Sequence, residues 1–343
     1  MWYRGYLHVH TQFHHPKTRR ISPSQLADHL KRWGASFAFC AGDHGDLRGR
    51  YYFGLDTKEF REYRKECLSI GGRRGVFLVP APEIHLMFPP YNERHEHHAC
   101  LPALARLPQL EPPESKVLAA SYTRDIAGFL TQCHQLGISS VLNHPRLSMG
   151  AIFGGPKPTD VKELSAFDYY ELATKDHPDF FNDDFTMYLA LSSQASPSSS
   201  MAACCGIDSL DRHLWENPEK NDLPATALFI EGAFSLETLM KAWHQQKCCA
   251  CIGNIYPEHI NPLPGRDIIR SKKVLITITT HAHDDPAGID IYRNGRPVLK
   301  AHYNGSEYEW EDDCPAKGIN SYLVHIHDSN SHLVTAPIHF AAS

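Results

Sequence analysis

The chain lacks any apolar run of the roughly 18 residues that a bilayer span requires, so no membrane helix is expected. It also lacks the charged-then-apolar amino terminus of a secretory leader, and His8 comes too early for such a leader to be removed. No sign of charge dominates. Lys plus Arg number 34 against 39 Asp plus Glu, giving a net charge of −5 and a pI near 6.5. That balance argues against a nucleic-acid binder on bulk electrostatics, while leaving room for a local cationic pocket. Among the ten cysteines one Cys-x-x-Cys occurs, Cys248 to Cys251, inside an apolar run and with no second such pair, which speaks against a zinc knuckle. The vicinal pairs Cys204-Cys205 and Cys248-Cys249, with Cys251, are expected to be buried and reduced, as in the cytoplasm. No P-loop or dinucleotide fingerprint occurs, so no nucleotide cofactor is implied.

What the chain has in excess is histidine, 23 in 343 residues. Histidine fills cores poorly, and so many together point to metal chemistry. Apolar content of 42% and charged content of 21% describe a soluble globular protein, large enough for one sizeable α/β domain and a smaller one.

The amino end organises the rest. Trp2 to Val9 reads as a strand running into His8-Val9-His10, whose imidazoles would share one face by strand alternation and converge on Zn, Mn or Fe. Ser22-Pro23-Ser24-Gln25 is an N-cap, a first-turn Pro and a capping-box Gln, and Gly34 supplies the stop. A strand over 36–41 follows and ends in Gly42-Asp43-His44. The βαβ unit then recurs. Helices are expected over 57–70 and 123–136, and from Ser235 past Trp243. Strands are expected over 76–81, 138–142, 167–172 and 201–205. Ionisable residues stand just past those strands: Glu83 and His85, Asn143-His144, and Asp208. This is where barrels and open α/β sheets place their active sites. Met87 to Lys116 reads as a long functional loop and Ser192 to Ser200 as an exposed one.

From about Asn261 the pattern turns all-β, with strands over 274–280, 289–292, 297–303, 308–311, 322–327 and 333–340. Asn294-Gly295 marks a hairpin between two of them. Domains at 1–264 and 265–343 are expected, the second a small β-sandwich. Its pairs His281/His283 and His325/His327 would lie on a solvent face.

The strand-end set resembles the PHP superfamily, the polymerase and histidinol phosphatase metallohydrolases. The matching pieces are Leu7-His-Val-His-Thr11, Gly42-Asp-His44, Pro82-Glu83-Ile84, His98-Ala99, Asn143-His-Pro145 and Gly206-Ile-Asp208, spanning about residues 1 to 255. The resemblance implies a distorted (β/α)7 barrel with two or three divalent ions (Zn, Mn or Fe) at the carboxyl ends of its strands. By it, His8, His10, Glu83 and Asp208 hold one ion, with Glu83 bridging to a second that His98 and His144 complete. His44 and His15 serve a third site. Where the family carries Gly-x-Asp-x-His, this chain has Leu210, unless His213 reaches in from one turn later.

The chemistry implied is attack of metal-bound hydroxide on phosphorus, with Glu83 central and Asp43 orienting an imidazole. Arg48, Arg50 and Arg146 are placed to grip a phosphate. The expected protein is thus a cytoplasmic metal-dependent phosphoesterase of a small phosphorylated metabolite, with no nucleic acid and no membrane. A hydrolase of carbon–nitrogen or ester bonds on the same ions is the alternative enzyme. A non-catalytic metal- or ligand-binding module is the alternative outside enzymes.

Overall fold

The computed structural model describes residues 1–11, 21–41, 58–70, 72, 74–81, 83–87, 96–100, 126–135, 137–145, 164–174, 181–193, 200–207, 223–281, 287–304, 307–313, 315 and 317–342. In chain order the elements are β1 (Trp2–His10), α1 (Pro23–Arg32), β2 (Phe37–Ala41), α2 (Lys58–Ile70), β3 (Phe77–Pro80), β4 (Glu83–Met87), β5 (Glu96–Cys100), α3 (Ile126–Gln135), β6 (Val141–Asn143), β7 (Tyr169–Ala173), α4 (Phe181–Ser192) and β8 (Ala202–Cys205). They continue with β9 (Ala225–Phe229), α5 (Leu236–His244), β10 (Cys248–Ile252), β11 (Pro257–Asn261), β12 (Ile268–Ser271), β13 (Val274–Thr280), β14 (Ala287–Arg293), β15 (Arg296–Tyr303), β16 (Tyr308–Asp312), β17 (Ile319–His327), β18 (His332–Thr335) and β19 (Ile338–Ala342).

Local chemistry explains the clearest elements. Ser22 caps α1 reciprocally: the Gln25 amide donates to Ser22 Oγ at 3.2 Å, and the Ser22 amide donates to Gln25 Oε1 at 3.0 Å. Leu26, Ala27 and Leu30 bury one stripe of it. Strand β13 alternates buried and exposed residues along its length, as a sheet with one covered face must.

Among the described residues the architecture is mixed α/β, with large sheets and few helices. The described hydrogen bonds draw three sheets rather than one closed (β/α)7 barrel. One has 11 strands and runs β12-β19-β17-β18-β10-β9-β1-β2-β3, with β14 and β15 branching from β17. A second has five, β4 to β8 in order, and a third has three, β11-β13-β16. The first two meet where Leu7 bridges to Gly206 in parallel, at the ends of β1 and β8.

Several elements depart from expectation. The segment expected as a loop holds β5, whose Glu-His-His-Ala-Cys composition carries no β-branched residue to announce a strand. The single strand expected over 333–340 is two, β18 and β19, separated at Ala336-Pro337, where proline cannot donate to a ladder. Helix α4 and strands β9 to β12 stand where no element was expected. Eight of the cysteines among the described residues, Cys248, Cys249 and Cys251 included, are buried and form no disulfide.

One core packs β1, β2 and β6 to β10 against the helices, with Trp243 of α5 stacked on Tyr169 at 3.6 Å between ring centroids. A second core lies between the three-stranded sheet and the far end of the large one, uniting Ile276 and Ile278 with Ile289, Val324 and Phe340. The two cores do not divide at residue 264. Leu323, Val334 and Ala336 belong to the first, and Cys249 and Cys251 belong to the second.

His339 sits in the second region with its ring buried against Ser321 Oγ, 2.8 Å from Nδ1, and burial pushes its pKa down to about 4. An unfolded histidine titrates near 6.5, so between those values the unfolded chain holds more protons and stability falls as pH falls. His339→Asn keeps a hydrogen-bonding amide there without the titration. Comparing urea unfolding at pH 7 and pH 4.5 in chelator, the variant is expected to lose on the order of 2 kcal/mol less than wild type on acidification. Equal losses would show that His339 contributes nothing to the acid limb.

Candidate metal centre

Four of the expected site residues meet around one carboxylate. Glu83 opens β4 three residues after the last residue of β3, and it is buried. His8 Nε2 lies 3.1 Å and His144 Nε2 3.5 Å from its Oε1, and His10 Nε2 lies 3.6 Å from Oε2. Asn143 Nδ2 donates to Oε1 at 2.9 Å, fixing the carboxylate's orientation. Ligand atoms from His8, Glu83 and His144 all lie within 4.8 Å of one another.

The backbone reaches this arrangement by leaving regular strand geometry. The β1–β2 register shifts between Tyr6 and Val9, and His8 has φ of 53° while His144 has φ of 24°. Non-glycine residues seldom adopt that region, and it concentrates where surrounding structure imposes it for a site. His8 and His10 therefore converge through a bulge, not through plain alternation. Their ring centroids are 4.9 Å apart.

A fifth residue was not anticipated. Glu171 of β7 is 1% exposed, and its Oε2 lies 3.3 Å from His8 Nδ1 and accepts the His144 backbone N–H at 2.8 Å. It thus ties β7 to both β1 and the end of β6. In the tautomer protonated at Nδ1, His8 would donate to Glu171 and turn the Nε2 lone pair toward Glu83. A Cβ at Gly206 would collide with Glu171 Oε1 and come within 2.9 Å of His8 Cβ, so only glycine lets the chain pass there. A sequence signal existed, since Asp168-Tyr-Tyr-Glu171-Leu sets an acid within an apolar strand. Such an acid is seldom buried without a partner.

Two carboxylates, Glu83 and Glu171, are thus buried on the two nitrogens of one imidazole. Buried negative charge is costly unless a cation compensates it, and imidazole nitrogens with a carboxylate are the donor set that first-row divalent ions accept. The residues present fit such an ion. Glu171→Gln keeps an acceptor for both contacts but removes the charge that raises His8 basicity. It is expected to weaken Zn or Mn binding about 10–100-fold while leaving the melting temperature in chelator near that of wild type. Unchanged affinity in an isothermal titration would remove Glu171 from the site.

The remaining expected residues are not brought into view. His15, Asp43, His44, Arg48, Arg50, Arg146 and Asp208 lie outside the described residues, as do Leu210 and His213. For His98 only the backbone is described, paired in register with Asn143 and His85.

No family model and no curated protein matches this chain. Among solved structures, the lesion-specific endonuclease PfuEndoQ from Pyrococcus furiosus is similar at 13% identity and a TM-score of 0.44, covering 70% of this chain and 55% of its own. Endonuclease Q in complex with a 27-mer duplex substrate carrying an abasic lesion at the active site is similar at 14% identity and a TM-score of 0.41, covering 70% and 56%. The chain thus spans little more than half the length of either. The duplex substrate named for the second structure stands against the expectation of a small phosphate substrate and no nucleic acid. A net charge of −5 averages over the whole surface and so does not by itself exclude a nucleic-acid groove. Among the described residues no helix is long and apolar enough to cross a membrane.

Proposed function

We propose that the chain is a metal-dependent hydrolase of phosphoester bonds, of the PHP kind, with His8, His10, Glu83 and His144 holding divalent ions. The observation that carries this reading is the buried convergence of three imidazoles on the Glu83 carboxylate. A divalent ion held there supplies Lewis acidity toward a phosphoryl oxygen and lowers the pKa of water. The chain's own residues orient and exclude. Glu171 sits against Nδ1 of His8, Asn143 fixes Glu83, and the buried setting keeps bulk water from the donor atoms. His15, His44, His98 and Asp208 remain proposed ligands on the motif resemblance, Asp43 a proposed partner of an imidazole, and Arg48, Arg50 and Arg146 proposed phosphate contacts.

A distorted barrel is the fold reading that accompanies this. In its support, β4 follows β3 closely in sequence, and Leu7 bridges to Gly206 beside β8, which links β1 to the β4–β8 sheet.

The test is turnover by the full chain, stripped by chelator and reloaded with Mn or Zn. Substrates are an aryl phosphodiester, an aryl phosphate, and a duplex containing an abasic site. Metal-dependent cleavage of at least one is expected. A protein that binds its ions and cleaves none of the three would sink the reading.

A further inference from the structure

The pair His325/His327, expected on a solvent face, is not on one. Strand β17 lies in the large sheet, and the face bearing His325 turns toward α4, where Phe185 packs on the His325 ring at 4.5 Å and Phe181 stacks on His332 at 4.0 Å. His325 is 6% exposed. The ladder sets Asp290 of β14 directly opposite His325, and His332 of β18 directly opposite His327. One carboxylate and three imidazoles from three adjacent strands therefore share one side of the sheet.

The contacts within this group are close. His327 Nε2 lies 3.7 Å from Asp290 Oδ2, and His325 Nε2 lies 3.2 Å from His332 Nδ1. Ligand atoms of Asp290, His325 and His327 lie within 4.8 Å of one another. Among the described residues His325 Nδ1 is buried with no hydrogen-bond partner. Gly288 stands opposite His327, and a Cβ there would sit 2.7 Å from the ring's Cε1, so the glycine makes room for that imidazole. The Tyr292 hydroxyl donates to Asp290 Oδ2 at 3.3 Å, and Lys300 Nζ lies 3.7 Å from the same oxygen. The Lys300 side chain is 70% exposed, so the ammonium can withdraw into water when another cation takes the carboxylate.

We propose that Asp290, His325 and His327 form a second metal site, separate from the one around Glu83, that takes a zinc-class divalent ion and ties β14 to β17 beneath α4. Two nitrogens and one carboxylate oxygen suit zinc and its first-row neighbours. Calcium and magnesium would require a mostly oxygen set. The half-buried His327 edge gives the ion a way in, and His332 is the nearest further donor. The proposal does not depend on the hydrolytic reading, since it rests on different residues.

The experiment uses the full chain, stripped by chelator, with zinc as the probe and a chromophoric chelator as competitor. His327→Gln and Asp290→Asn are each expected to bind one zinc ion fewer than wild type, or to bind it at least about tenfold more weakly. Both should melt in chelator within a few degrees of wild type. Glu83→Gln is expected to retain this ion, which separates the two sites. In the wild type, zinc should also slow hydrogen exchange over residues 287–293 and 319–327, a readout that needs no variant. An unchanged zinc count at wild-type affinity in a folded variant overturns the proposal, and so does exchange over those strands that zinc leaves untouched.

Discussion

Replacing Glu83 by glutamine is expected to cut metal-dependent turnover on the order of 100-fold, the scale of losing one pre-positioned charge-stabilising group. Three imidazoles and the Asn143 amide face the two oxygens of this side chain. An amide can satisfy Asn143 with its carbonyl oxygen, but it then turns an N–H toward His10 and offers no shared negative charge. Metal affinity at this site should fall with activity. Stability in chelator should move the other way or stay level, because a buried carboxylate without its cation is costly and the amide removes that cost. The paired readout is therefore melting temperature with and without added Mn or Zn. Wild type should gain on metal addition, by an amount that follows ligand concentration over Kd, and the variant should gain much less. Full turnover in the variant, or an undiminished metal-induced shift, would remove Glu83 from the centre of the chemistry.

A chain ending at Pro264 is expected to be insoluble or to melt far below the intact protein. The change of hydrophobic period near residue 261 suggests a linker, and from sequence alone a truncated barrel would keep its metal. The ladder argues otherwise. Strand β10 pairs with β18 from Cys249 opposite Thr335 to Ile252 opposite His332, so the cut bares a buried strand edge rich in apolar side chains. It strips Leu323, Val334 and Ala336 from the core that holds β1 and β9.

The cut also removes Arg266, whose guanidinium pairs with the buried Asp168 carboxylate. Burial tends to raise the pKa of Asp168, but hydrogen bonding from His134 and the charge of Arg266 hold it below the ordinary carboxylate range. Removing one partner of a buried pair costs roughly 3–5 kcal/mol, a large share of a domain's stability. Soluble yield and thermal melting of the fragment decide the matter. A monomeric fragment that melts close to full length would show that the two portions fold independently.

Much of the chain's local structure was determined by sequence alone. The Ser22 capping box, the alternation of β13 and the Asn294-Gly295 hairpin follow from propensities that act over a few residues. The gathering of ionisable side chains near strand ends was also legible, and His8, His10, Glu83 and His144 are found together.

What distance in sequence hides was decided by the tertiary structure. Glu171 joins the site because β7 lies between β6 and β8, an order that no local pattern encodes. His8 points inward through a bulge with positive φ, where alternation supplied a different reason for the same outcome. His325 is buried because α4 covers the face that the period-2 pattern of β17 leaves ambiguous. A strand's alternation tells which residues share a face, but only the neighbour packed on that face determines whether it meets water, a core or an ion.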